Sequence, residues 1–96
     1  MVLFAFKAGA DREQIGQIEA AFRQLPTQIN LIQDFEWGLN NSPENLNQGF
    51  THCFLLTFPD DTSRDAYLIH PAHQAFVAKL NPTLEKALVI DYWSEQ

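Results

Sequence analysis

The apolar positions of this chain fall into four strand-like runs and two helical ones, and their order sets the expected fold. From Val2 to Lys7, Phe4 and Phe6 fall on one side and Leu3 and Ala5 on the other, the period of a strand, and Gly9 ends the run. Asp11 can cap a following helix with Gln14 at the reciprocal capping-box position, and Ile15, Ile18, Phe22 and Leu25 then recur at helical spacing until Pro26. A second strand is expected from Ile29 to Trp37, where Phe35 and Trp37 alternate with Asp34 and Glu36 until Gly38 breaks the pattern. Between Leu39 and Gly49, Asn40, Asn41, Asn45 and Asn47 together with Ser42 and Pro43 describe a solvated connecting loop.

Phe50 to Phe58 reads as a third strand, with Phe50, His52, Phe54, Leu56 and Phe58 on one face and Thr51, Cys53, Leu55 and Thr57 on the other. Thr62 can cap a second helix with Asp65 at the capping-box position. That helix runs into Pro71 and resumes from Ala72 to about Leu80, where Asn81 and Pro82 interrupt it. Ala87 to Trp93 then alternates Leu88, Ile90 and Tyr92 with Ala87, Val89, Asp91 and Trp93, a fourth strand.

The order β-α-β-β-α-β is the α+β arrangement called ferredoxin-like, in which four antiparallel strands carry both helices on one face. A sheet with a watered second face would alternate apolar with polar residues, yet strands one, three and four show apolar side chains on both faces. A cover for the second face is therefore expected, and the simplest is a second copy packed sheet to sheet, a closed symmetric homodimer.

Composition narrows the partners. The 96 residues support one domain and are too few for two. A net charge of -6 repels phosphate backbones and anionic lipid surfaces, so neither nucleic acid nor a membrane is expected as a partner. The single cysteine, Cys53, has no partner for an intrachain disulfide or a cysteine zinc cage and reads as a small buried hydrophobe. No signal-like segment or membrane-length apolar run is present, and the chain reads as cytoplasmic.

Tyr67, His70 and His73 surround Pro71 within seven residues. Proline cannot continue a helix but starts one readily, so a helix-proline-helix corner is expected, aiming Tyr67 and His73 into one space. A phenol that donates beside an imidazole that accepts a proton near neutral pH has the chemistry of an acid and a base. The same residues fit a structural corner, with the tyrosine in the core and His73 bonded to a strand-four group such as Asp91. His70 is expected to cap the last carbonyls of the first helical arm. His52 fits either a pocket or a core position with a hydrogen-bond partner. Phe35 and Trp37 read as interface or core packing. Three histidines and Asp91 could in principle hold a metal, but His70 and His73 flank a bend whose direction the sequence leaves open and ligand spacing alone seldom suffices, so no metal or cofactor is expected.

Phe35-Glu36-Trp37-Gly38, Gly49-Phe50-Thr51-His52 through Leu56-Thr57-Phe58, Tyr67-Leu68-Ile69-His70-Pro71-Ala72-His73 through Phe76, and Val89-Ile90-Asp91-Tyr92 together resemble the stress-responsive α/β-barrel (Dabb) family over nearly the whole chain. The resemblance implies a ferredoxin-like protomer whose homodimer closes an eight-stranded barrel. In a plant polyketide cyclase of that family, the tyrosine and second histidine of the same motif form the catalytic pair of an aldol-type ring closure. Carried over, Tyr67 polarises a ketone oxygen and His73 takes the proton beside a carbonyl. Phe4, His52, Phe54, His70, Phe76, Val89 and Asp91 then line or brace a ligand pocket. Family members commonly place a histidine just before the first strand, where this sequence starts at Met1, and Leu84 stands where the cyclase has a bulkier aromatic residue. Three functions follow: a homodimer with a small hydrophobic ligand pocket, a cofactor-independent cyclase or isomerase, or a structural stress protein without ligand.

Overall fold

The computed structural model describes residues 1–95, in which one antiparallel sheet carries the helices on a single face and the body is only 17 Å thick along its shortest axis. The elements are β1 (Val2–Phe6), α1 (Arg12–Gln28), β2 (Asp34–Leu39), β3 (His52–Thr57), α2 (Asp61–Leu68), α3 (Pro71–Leu80), a 3-10 turn (Asn81–Thr83) and β4 (Leu84–Val89). Strand order β2-β3-β1-β4 is the ferredoxin-like one expected from the sequence.

Register puts the large apolar side chains on one side. Phe4 lies opposite His52 and Ala87, Val2 opposite Phe54 and Val89, and Trp37 opposite Phe54. Residues directly opposite in an antiparallel ladder share a face, so all of these point toward the helices. There Phe22 of α1 stacks on Phe54 at 4.2 Å between ring centroids, and Phe76 of α3 meets Phe22 at 4.7 Å. Burying each of these rings stabilises the fold by about 2–3 kcal/mol. The capping box forms as expected: the Gln14 N–H donates to the Asp11 carboxylate at 2.8 Å, and the Asp11 N–H donates to Gln14 Oε1 at 3.0 Å.

Several boundaries differ from those read off the pattern. Helix α1 passes through Pro26 to Gln28, because Leu25 and Ile29 are both fully buried anchors and the Ile29 N–H still reaches the Leu25 carbonyl at 2.8 Å. The proline deletes one backbone bond near the helix end, where the loss is smallest. Strand β2 begins at Asp34 rather than Ile29 and runs through Gly38 to Leu39, so the glycine does not end it. Asp60, not Thr62, caps α2, its carboxylate accepting the Ser63 N–H at 2.7 Å.

The largest shift is in β4, which spans Leu84–Val89 instead of Ala87 to Trp93. A register shift between Ala5 and Phe6 places Ala5 opposite Lys86 but Phe6 opposite Leu84, leaving Glu85 without a partner. Such a bulge breaks the two-residue period, which hides the start of the strand from a pattern reading. The alternating stretch beyond Val89 is real but outruns its neighbour: Ile90 donates to the Met1 carbonyl, and among the described residues no strand lies alongside Asp91 to Trp93.

Away from the helices, the sheet presents Leu3, Ala5, Cys53, Leu55 and Leu88 along its centre, flanked by Asp34, Glu36 and Lys86. Leu88 and Val89 are 41% and 60% exposed, so the β4 edge of the sheet is apolar and open.

Candidate functional site

Pro71 shapes the site. It cannot donate into α2, which therefore ends at Leu68, and it stands at the first position of α3. His70 takes the cap position of α3, its Nδ1 accepting the Ala72 N–H at 3.0 Å. This corrects the expected capping of the preceding helix: the imidazole serves the helix that follows. The bend brings Tyr67 and His73 together, with ring centroids 4.5 Å apart at an interplanar angle of 50°.

Helix α2 ends with carbonyls that have no N–H within their own helix. His73 Nδ1 lies 3.1 Å from one of them, that of Leu68. A carbonyl only accepts, so Nδ1 carries a hydrogen and donates, and in the neutral ring the lone pair is then on Nε2. The expected bond from His73 to Asp91 is replaced by this one. Asp91 Oδ2 lies instead 3.7 Å from Arg64 Nη1.

Tyr67 is only 6% exposed and packs on Phe58 at 5.0 Å. Among the described residues nothing hydrogen-bonds its hydroxyl, and no fully enclosed polar side-chain atom lacks a partner, so that hydroxyl opens on a cavity. Burial pushes the phenol well above its usual range, which keeps the proton on the oxygen and makes Tyr67 a donor.

The cavity, about 700 Å³, lies between the sheet and the α2-α3 corner. Phe4 and Val89 line it from the sheet and Tyr67, His73 and Phe76 from the helices, while Asp91 lies at its mouth. Phe54 is completely enclosed in the core beneath and does not reach the wall. His70 and His52 are also outside it. His52 sits at the other end of the sheet, where Nε2 donates to Glu19 Oε2 at 2.7 Å and Nδ1 accepts the Thr51 hydroxyl at 2.7 Å. Its ring lies parallel to Trp37 and edge-on to Phe6. Among the described residues no three histidine, cysteine, aspartate or glutamate side chains converge as metal ligands, and no helix is long and apolar enough to cross a membrane.

Two parts of the site went unread in the sequence. The Leu68 carbonyl carries no side-chain signal at all. Arg64 and Trp93 line the mouth, and the Trp93 indole N–H donates to Asp61 Oδ1 at 3.0 Å. The signal for Arg64 was present, as one arginine set among Asp60, Asp61 and Asp65.

The profile of the family described as Stress responsive A/B Barrel Domain matches residues 1–94. This chain belongs to the Dabb family. It is 38% identical over 92 residues to the stress-response A/B barrel domain-containing protein HS1 of Arabidopsis thaliana, covering 96% of this chain and 84% of that protein. It is 30% identical over 95 residues to olivetolic acid cyclase of Cannabis sativa, covering 96% of this chain and 91% of the cyclase. Among solved structures, the hydroxynitrile lyase of Passiflora edulis superposes with a TM-score of 0.88 at 27% identity, over 95% of this chain and 86% of the lyase. A dimeric ferredoxin-like protein of unknown function from Bacteroides fragilis superposes with a TM-score of 0.74 at 26% identity, over 95% of this chain and 89% of that one.

Proposed function

We propose that this Dabb-family chain works as a homodimer in which each protomer holds a small, largely apolar ligand bearing a carbonyl group. The observation that carries the reading is an open, mostly apolar cavity of about 700 Å³ on whose helix-side wall the Tyr67 hydroxyl and His73 Nε2 make no hydrogen bond to any described residue. A cavity kept only for packing would be filled, since each void forfeits contacts. Here the space remains, and a donor and an acceptor face it together. The homodimer rests on the apolar centre of the outer sheet face and the open β4 edge, and on the dimeric structure of the Bacteroides fragilis protein. A monomeric mass at micromolar concentration would count against it.

Binding is tested with Nile red, a neutral apolar dye. Phe76→Trp, which adds bulk inside the cavity, is expected to weaken dye binding about tenfold or more, because overpacking a filled site costs about 1–3 kcal/mol. Equal binding by both proteins would remove the cavity as the ligand site.

The His73 tautomer favours a second reading, in which the ligand is turned over. Nε2 takes a proton from the carbon beside a carbonyl, and the electron pair moves onto the carbonyl oxygen, where the Tyr67 hydroxyl stabilises it by hydrogen bonding. The enolate carbon then attacks a second carbonyl of the same molecule, and His73 returns its proton to the new alkoxide, closing an aldol-type ring. Olivetolic acid cyclase and the hydroxynitrile lyase are two similar proteins with enzymatic names. Deuterium exchange beside the carbonyl of a β-keto compound is expected to be fast with the native chain and to fall about a hundredfold with His73→Ala. Exchange that is the same with His73→Ala and with Tyr67→Phe as with the native protein would leave binding alone.

A further inference from the structure

The cavity is apolar inside and charged at its mouth. Asp60, Arg64 and Asp91 lie on its lining, and Arg64 is the only arginine or lysine among the lining residues. Its guanidinium already stands among carboxylates. Nε and Nη2 both donate to Asp65 Oδ1 at 3.1 Å, Nη2 lies 3.9 Å from Asp61 Oδ1, and Nη1 lies 3.7 Å from Asp91 Oδ2. One side-chain cation thus stands against the four carboxylates of Asp60, Asp61, Asp65 and Asp91, and the α-ammonium of Met1, also on the lining, donates to the Ile90 carbonyl at 2.9 Å.

Two of these groups, Asp60 and Arg64, are held in their charged forms. The Ser63 N–H holds the Asp60 carboxyl below the usual range, and the carboxylates around Arg64, Asp65 foremost, hold its guanidinium above its own.

We infer that Asp60, Asp91 and the already paired Arg64 decide the charge of what enters: the cavity admits uncharged carbonyl compounds and rejects ionised carboxylic acids of the same size. The inference rests on the ligand-pocket reading above and narrows it to a substrate class. A ketone that leaves water gives up a hydrogen bond at its oxygen and regains one from the Tyr67 hydroxyl. A carboxylate gives up far more hydration, meets no uncommitted cation inside, and passes the field of the rim carboxylates. Asp91 stands 3.7 Å from Arg64 Nη1, too far for a hydrogen bond but close enough to repel an acid that approaches the same nitrogen, so its charge is the one to remove.

The test uses the full chain loaded with Nile red and two displacing compounds of equal carbon count, methyl nonyl ketone and undecanoate, at neutral pH. The ketone is expected to displace the dye at a concentration about tenfold or more below that of undecanoate. In the double variant Asp60→Asn/Asp91→Asn this gap is expected to close about tenfold through better displacement by undecanoate relative to the ketone. Asparagine caps a helix about as well as aspartate, so the start of α2 is kept. Raising the salt on the native chain gives an independent measure and should narrow the gap by screening the exposed carboxylates. Equal displacement by both compounds, or a gap that neither the double variant nor salt alters, overturns the charge selectivity while leaving the pocket. Displacement by neither compound overturns the pocket reading and this inference with it.

Discussion

His52 and His73 sit at opposite ends of the same helix-sheet interface, and the contrast between them separates a structural imidazole from one available for chemistry. His52 is 6% exposed, held between aromatic rings, and both of its ring nitrogens are spoken for, one by Glu19 and one by Thr51. It ties α1 to the sheet and has nothing left to offer a ligand. His73 is half-buried and spends one nitrogen on a backbone carbonyl, keeping the other toward a cavity. The residue type is the same; what differs is the count of uncommitted lone pairs. Burial alone would have ranked the two in the wrong order as functional candidates.

The largest expected effect that bears on this contrast is on stability. His52→Ala empties an enclosed site and strands the Glu19 carboxylate, and is expected to destabilise the fold by about 2–4 kcal/mol in chemical denaturation. His73→Ala loses one hydrogen bond at a half-buried position and is expected to cost about 1 kcal/mol. Equal losses would erase the distinction.

Next comes alkaline pH. The Tyr67 phenol is raised by burial, so its proton is held by the folded chain after an unfolded tyrosine, with its ordinary value of about 10, has lost its own. Stability from this residue is therefore intact below about pH 10 and falls above it, by about 1.4 kcal/mol per pH unit until the folded group also ionises. Denaturation of native chain and Tyr67→Phe across that range should show the extra slope only in the native chain. Parallel curves would mean that Tyr67 is not held out of water.

The smallest effect is the most diagnostic of the open corner. Because no described residue bonds the Tyr67 hydroxyl, Tyr67→Phe near neutral pH is expected to change stability by less than about 0.5 kcal/mol. A loss well above that would reveal a partner for the hydroxyl and close the site to a ligand.

Much of the fold was legible because local and global preferences agree. The alternation of β1 and β3, the Asp11 capping box and the Pro71 corner each follow from period and backbone chemistry. The misread ends had physical causes of their own. The bulge at Phe6 and Glu85 broke the period at the start of β4, and its end was set by the length of β1, which no pattern within β4 records. Asp60, Asp61 and Thr62 are all able to cap, and the path of the chain after Pro59 selected the first. At the site, the Tyr67-His73 proximity was legible as a corner. The partition of three histidines into a brace, a cap and a ring held by one nitrogen was not, because it depends on Glu19, Ala72 and the Leu68 carbonyl, which reach them through folding or through the backbone.

The cap made by His70 reaches further than its own helix. In an uninterrupted helix the Ala72 N–H would close on the Leu68 carbonyl, four residues back. Pro71 breaks that path and His70 draws off the Ala72 hydrogen, so the carbonyl stays vacant and His73 fills it. The orientation of the His73 ring is thus inherited from two neighbours outside the cavity lining. A change at position 70 can therefore turn the His73 ring although His70 lies outside the cavity.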